Sequence, residues 1–205
     1  MNKMYNLKKN NYHLKPKSSN IQTPLEVSQF IFELLRDKIE RGIFDPCCGE
    51  GNLLKPWKEA GYNTVGNDII NIENRSFKNS IDYDIDFLHN WTKSVVPSRN
   101  LILCNPPFNG YGSKLGSEVW LDKIIELFGK DISIVLFVPI GFRLNLTLKS
   151  KRWLKLTNGT YPSISSLIAL PKNIFPEVVF HSEILIFNIK GLKSHYFYRR
   201  ITQTC

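Results

Sequence analysis

Two short stretches of this chain combine residue types that can do chemistry. The first is "CNPPFNG", residues 104–110, which follows the apolar run "LIL". Asn105 offers an amide oxygen, and the Pro106 carbonyl is a second acceptor whose direction is fixed by the prolines, Pro107 having no N–H to compete. Two fixed acceptors suit a flat, amine-bearing substrate. The exocyclic amine of adenine is a poor nucleophile because its lone pair is delocalised into the ring. Acceptors aimed at both N–H groups favour a tetrahedral nitrogen whose lone pair can attack, while Phe108 stacks on the base and holds it in place. Taken alone, the stretch is equally a proline-rich turn that caps a buried strand.

The second stretch is "FDPCCGEGN", residues 44–52. Gly49 and Gly51 can take positive φ and let a ligand approach the backbone without a Cβ in the way. Such a turn at a helix start presents unpaired amides to polar or negative oxygen. Pro46 stiffens the exit from the strand, and Asp45 can accept from a ligand amine. By itself the Gly-x-Gly is also an ordinary strand-to-helix connection. About twenty residues later Asp68, in "VGNDI", stands where a carboxylate accepts both ribose hydroxyls in dinucleotide sites; a helix cap is the plainer alternative. Asp86, in "DIDFL", could accept from an adenine amine while Phe87 covers the ring, although Asp82, Asp84 and Asp86 alternate and any of them could be surface charge.

These groups need a scaffold, and the hydrophobic pattern supplies one. "TPLEVSQFIFELLRDKIE" has a Thr cap, a Pro at the first helical position and apolar residues at helical spacing. "GIFD", "NTVGNDI", "IDYDIDFL", "NLILC", "ISIVLFVP", "SSLIALP" and "HSEILIFNIK" read as strands, with helices at "LLKPWKEAGY" and "SEVWLDKIIELFG". Near-continuous apolar strands alternating with helices predict an α/β sheet covered on both faces. Ligands of such sheets lie beyond the carboxyl ends of the strands, so the turns after "IFD" and "LILC" should be neighbours.

The 205 residues suit one domain, and no apolar run reaches the roughly 18 to 20 residues that a membrane span needs. The Lys/Asn-rich stretch 1–20 lacks the apolar segment of a secretory signal and is expected to be a mobile basic tail on a cytoplasmic protein. The four cysteines form no Cys-x-x-Cys pair and have no histidine at a ligand-like spacing, which predicts reduced thiols and no metal. Net charge is +9, unevenly placed: residues 1–20 carry five lysines and no acid, and residues 141–205 carry ten Lys/Arg against two Glu. A less basic centre with basic flanks fits a small-molecule site bordered by a polyanion-binding surface, or flanks that merely confer solubility.

"TP" at a helix start, "DPCCGEGN", "NDI", "IDF" and "CNPPF", in this order, resemble the S-adenosylmethionine-dependent N6-adenine DNA methyltransferases of the gamma motif order, similar to type I modification subunits and to phage and plasmid adenine methylases. The likeness runs from about residue 23 to 190. It implies a Rossmann-like methyltransferase fold with a seven-stranded, mostly parallel sheet, an antiparallel last strand and helices on both faces. It further implies that Thr23 and Pro24 lie near the carboxylate of S-adenosylmethionine, that Asp45, Pro46, Gly49 and Gly51 cradle its methionine part, that Asp68 and Ile69 hold the ribose, and that Asp86 and Phe87 hold the adenine. Asn105, Pro106, Pro107 and Phe108 would grip the target base. "FPEVVFHSEILIFNI" resembles the late motif that faces a flipped base, with Phe180 and His181 as candidates and a buried turn as the alternative.

A duplex substrate requires extrusion of the adenine. Arg143, Lys149, Lys151, Arg152 and Lys155 around Trp153 could grip the nucleic-acid backbone, or form a solvated loop. Residues 21–205 are expected to be a single catalytic domain. The resemblance departs in one respect: no target-recognition domain follows, so recognition would fall to short loops, to a specificity or restriction partner, or to a single-stranded or RNA substrate. The expected activity is methylation of adenine N6 in DNA. Alternatives are adenine in RNA, a protein glutamine amide, for which such relatives usually carry Tyr where Phe108 stands, or a catalytically silent nucleic-acid-binding subunit.

Overall fold

The computed structural model describes residues 21–40, 42–69, 79, 81–92, 101–108, 115–144, 146–175 and 180–200. The expected basic tail at 1–20 lies outside them. Among the described residues no helix is long and apolar enough to cross a membrane.

Helix α1 (Leu25–Leu35) precedes β1 (Ile43–Asp45), α2 (Lys55–Glu59), β2 (Thr64–Asn67), β3 (Ile81–Tyr83), β4 (Leu101–Cys104), α3 (Gly116–Phe128), β5 (Ser133–Pro139), α4 (Lys151–Thr157), β6 (Ile164–Ala169), β7 (Ser182–Phe187) and β8 (His195–Phe197). The strands form one sheet in the order β3-β2-β1-β4-β5-β7-β6-β8. Strands β1 to β5 pair in parallel, whereas β7 runs antiparallel to both β5 and β6. The expected seven strands are therefore joined by an eighth. Strand β7, the last of those seven, is antiparallel as expected, and the added β8 pairs in parallel with β6.

Side chains alternate across the sheet, and the two faces make two cores. Along β5, Val135 and Phe137 pack toward α1 and α2 with Val27, Ile31, Leu35 and Trp57. Ile134, Leu136 and Val138 pack on the other face with Trp120, Leu121, Ile124 and Leu127 of α3. All five β5 residues and Trp57 are fully buried. At that burial, truncating Trp57 to alanine costs about 3–5 kcal/mol.

The carboxyl ends of the first three strands are tied by one side chain. Asn67, fully buried at the end of β2, donates through Nδ2 to Pro46 O (3.0 Å) and Ile85 O (2.9 Å), and its Oδ1 accepts from Ile85 N (3.1 Å). Backbone that has left the ladder still needs partners when buried, and this amide supplies three. It thereby fixes how the chain leaves β1 and enters the loop after β3.

Candidate active site at the carboxyl edge of the sheet

Strand β1 ends at Asp45, which is 1% exposed; its Oδ1 accepts from Cys47 N at 3.0 Å and bends the chain off the strand. The turn that follows places Gly49 at φ 51° and Gly51 at φ 86°. The positive φ favours glycine at position 49, and a Cβ there would stand 2.7 Å from Gln22 Oε1, so a larger residue would also have to push the Gln22 side chain aside. Asp68, just beyond β2, accepts the Gly49 N–H through Oδ2 at 2.8 Å. The turn and the acidic strand end, read from the sequence as separate features, thus form one unit. Ile69 stands beside it, 66% exposed.

The segment before α1 lies across this unit. Gln22 Oε1 accepts from Glu50 N (3.1 Å), and Thr23 O accepts from Asn52 Nδ2 (2.8 Å). Pro24 caps α1 in extended backbone. Thr23, 6% exposed, also reaches the other motif: its Oγ1 accepts from Asn105 Nδ2 at 2.9 Å. With its nitrogen committed to Thr23, the Asn105 carboxamide turns its oxygen to the other side. One four-residue strap therefore touches both the glycine turn and the Asn-Pro-Pro-Phe turn. Gln22 and Asn67 were missed by sequence reasoning; a polar residue beside "TP" and an Asn before "DI" carry no signal of their own until the contacts are known.

Pro106 is buried and Pro107 partly so. The Phe108 ring meets Phe180 edge-on at 5.2 Å, and Phe180 stacks on Phe175 at 5.5 Å and 14°. The late motif thus comes to the proposed clamp through Phe180. His181 is exposed, and its carbonyl accepts from Ile140 N at 3.1 Å. Beneath the clamp, the Cys47 and Cys104 sulfurs lie 3.6 Å apart. Burial, then the neighbouring thiol and the Asp45 and Asp68 carboxylates, push the Cys47 thiol well up; Cys104 is raised as well, chiefly by burial. Both are neutral thiols at neutral pH and poor nucleophiles.

Other expectations change. Phe87 does not stand over a ligand space: it is 2% exposed, stacked on Trp120 (5.3 Å, 8°) and packed by Phe44 and Trp91. An apolar ring just past a strand gains more from that core than from solvent. Asp86 caps the turn after it, with Oδ1 accepting from Leu88 N and His89 N and Oδ2 lying 2.8 Å from His89 Nδ1. Partial burial raises this carboxyl, but the bonds from His89 and Leu88 outweigh it and leave the pKa lowered.

The basic cluster divides in two. Arg143 makes a two-pronged bond to Glu183 (2.7 and 2.9 Å). Arg152 binds Glu118 (3.0 Å), and Lys155 binds both oxygens of Asp122 (2.7 Å each) and approaches Glu118 at 3.6 Å. These three are internal partners of β7 and α3, not free phosphate ligands, because a half-buried cation beside a buried carboxylate is held there by desolvation. Lys149 and Lys151 remain exposed, and Trp153 is partly buried.

The chain was compared with known proteins. Residues 2–73 match the family model "N-6 DNA Methylase", a span of roughly a third of the chain that includes the strap, the glycine turn and Asp68. No curated protein matches by sequence. Among solved structures, a Listeria monocytogenes protein described as a class I S-adenosylmethionine-dependent methyltransferase superposes with a TM-score of 0.65 at 16% identity, covering 92% of this chain and 68% of its own. A modification subunit of a type I restriction enzyme from Vibrio vulnificus gives 0.63 at 16% identity, with 89% and 48% covered. A type I restriction-modification methyltransferase subunit from Streptococcus thermophilus gives 0.59 at 18%, with 88% and 47% covered. The fold is the Rossmann-like methyltransferase fold, and the chain spans about half the length of the two modification subunits. The family match supports the resemblance to N6-adenine methyltransferases read from the motifs.

Proposed function

We propose that this chain, with its family match over residues 2–73 and its methyltransferase sheet, is an S-adenosylmethionine-dependent methyltransferase that acts on the N6 amine of adenine in DNA. The observation that carries the proposal is the bond from Asn105 Nδ2 to Thr23 Oγ1. It joins the turn suited to a base amine to the strap that also holds the glycine turn, so that a methyl donor at one would lie beside an amine at the other.

The residues present fit the cofactor. The turn after β1 carries two glycines at positive φ, as a ligand-cradling turn requires, and Asp68 stands beside it, where it would meet a ribose. Thr23, Pro24, Asp45, Pro46, Gly49 and Gly51 would hold the amino-acid end, with Asp68 and Ile69 at the ribose. Asp86, turned to His89 and the turn after it, is weaker as an adenine partner. When bound, the cofactor supplies an electrophilic methyl group.

The rest of the work is positional. Asn105 Oδ1 and Pro106 O accept from the two N–H bonds of the target amine, drawing its nitrogen toward a tetrahedral geometry and freeing its lone pair for the methyl carbon. Phe108, braced edge-on by Phe180, stacks on the base, and Pro107 keeps the carbonyl before it free of a competing donor. As the N–C bond forms, the bond from the methyl carbon to the cofactor sulfur would break, with the neutral thioether as leaving group. The methylated nitrogen is then positively charged and strongly acidic, so solvent water suffices to take its extra proton. The raised thiols of Cys47 and Cys104 take no part. DNA is favoured over a protein amide by the basic flanks and by Phe108. Lys149 and Lys151 are the backbone-contact residues, and His181 is the exposed residue next in sequence to Phe180, the bracing ring. A specificity or restriction partner belongs to the proposal only through the two modification-subunit neighbours.

The test is methyl transfer from labelled cofactor to separate pools of DNA, RNA and protein. The proposal expects label in DNA as N6-methyladenine and its loss in Asn105→Ala. Label confined to RNA or protein moves the substrate; no transfer and no cofactor binding return the chain to a silent binding module.

A further inference from the structure

Strand β8 is the addition to the expected sheet, and its outer surface has no counterpart in the site described above. Its inward residues are anchored. The Tyr196 hydroxyl accepts from Lys193 N (3.0 Å), Tyr198 N donates to Ala169 O (3.0 Å), and the Tyr198 ring meets Phe30 of α1 edge-on at 5.5 Å. The alternate residues therefore face outward on a fixed backbone. Phe197 is 74% exposed, and His195 lies against it with ring centroids 4.5 Å apart. Arg199 and Arg200 follow, both exposed. From residue 184 to the end the sequence has Lys190, Lys193, Arg199 and Arg200 and no acid.

The topology gives this ledge a direction. Strand β8 runs parallel to β6, which runs with β5 because β7 is antiparallel to both. Phe197, Arg199 and Arg200 are thus at the same edge of the sheet as residues 105–108. Four strand spacings separate β4 from β8, roughly 19 Å. A strand whose adenine occupied the clamp would reach β8 within about six nucleotides even at the compact duplex rise of about 3.4 Å per nucleotide, and in fewer when unpaired and more extended.

We propose that the exposed face of β8 is a second nucleic-acid contact, in which Phe197 stacks on an unpaired base of the strand held at the clamp and Arg199 and Arg200 contact its phosphates. This rests on the N6-adenine reading and narrows its substrate to single-stranded or locally opened nucleic acid. Stacking requires an open base face, which duplex interiors do not offer, whereas an aromatic ring flanked by cations suits any unpaired base. Charge decides against a basic protein partner, which the ledge repels, and favours a phosphate chain, which it attracts.

The experiment measures binding of the full chain to fluorescent adenine-containing oligonucleotides, single-stranded and duplex, by anisotropy over a salt series. Tighter binding of the single strand is expected. Phe197→Ala should weaken it by about 5- to 150-fold, the range for one lost base stack, while Phe197→Trp retains it. Arg199→Ala with Arg200→Ala should lower the salt slope by about 1.4, the value for two single-strand phosphates. Unchanged cofactor binding in Phe197→Ala shows that the fold is kept, and Phe197→Leu, which also lacks the ring, replaces it should alanine disturb the strand. Equal affinity of wild type and Phe197→Ala overturns the ledge. So does tighter duplex binding that ignores Phe197, or a dimer in sedimentation that Phe197→Ala dissolves, which would make the face a contact between copies. Binding needs no methyl transfer, so the two readings fail separately: Phe197-dependent binding without methylation of any adenine sinks the N6 reading alone, and methylation with Phe197-independent binding sinks the ledge alone.

Discussion

Thr23 does more than open a helix. Its hydroxyl holds the nitrogen of the Asn105 carboxamide at 2.9 Å and so sets which way the oxygen points. Thr23→Val removes that partner with little change in volume, and loss of one oriented acceptor is expected to lower kcat by about 10- to 100-fold, in line with roughly 1.4 kcal/mol per tenfold. Thr23→Ser should restore most of it; because Thr23 also stands at the amino-acid end of the cofactor, calorimetry separates the two roles, and a loss of kcat larger than the loss of cofactor affinity is expected. Asn67→Ala tests the scaffold instead: three buried bonds lose their partner, and a loss of about 2–3 kcal/mol in denaturant unfolding is expected. For Asp86 the sign follows from its lowered pKa. A carboxyl depressed in the folded state stabilises above its unfolded value and loses that contribution as pH falls through the folded one. The stability gap between wild type and Asp86→Asn should therefore be present at neutral pH and shrink below about pH 4 in pH-resolved unfolding. At this scale the sequence was legible where residue type limits the options. Proline without a donor and glycine at positive φ were correctly placed in turns. Phe87 was not, because an aromatic residue after a strand suits a core as well as a site.

Among the elements, α4 was the least legible. "KSKRWLKLTNG" carries cations that suit phosphate contact, and only the fold reveals that Glu118 and Asp122, one turn apart on α3, face Arg152 and Lys155. Long-range charge partners leave no local trace in sequence. Arg152→Ala strands Glu118, whose side chain is 10% exposed, and should cost about 2–3 kcal/mol, less than the range for a fully buried pair because Lys155 remains 3.6 Å away. The exposed pair should behave in the opposite way. Lys149→Ala with Lys151→Ala is expected to leave the unfolding midpoint unchanged and to weaken nucleic-acid binding in a salt-dependent manner, by about 0.7 to 0.9 in slope per lost phosphate contact. Strand β8 is not among the strands legible in the sequence, since three residues with one inward ring give too short a period to mark a strand.

For the whole molecule, the hydrophobic pattern conveyed the class, both faces of the sheet and the edge at which the two turns meet. The apolar run of β5, buried on alternate sides by α1 and α3, needs no long-range information to be recognised. What it did not convey was the strap across the edge, because contacts between residues 22–23, 49–52 and 105 exist only once β1 and β4 are adjacent. That adjacency is the basis of the functional claim, which is that one edge places a methyl donor beside an oriented amine. The most direct test is mass spectrometry of nucleosides from adenine-containing DNA incubated with the purified chain and S-adenosylmethionine carrying a labelled methyl group. The account predicts label in N6-methyladenine with wild type and background with Asn105→Ala. Label on another base atom, or undiminished N6-methyladenine in Asn105→Ala, would contradict it.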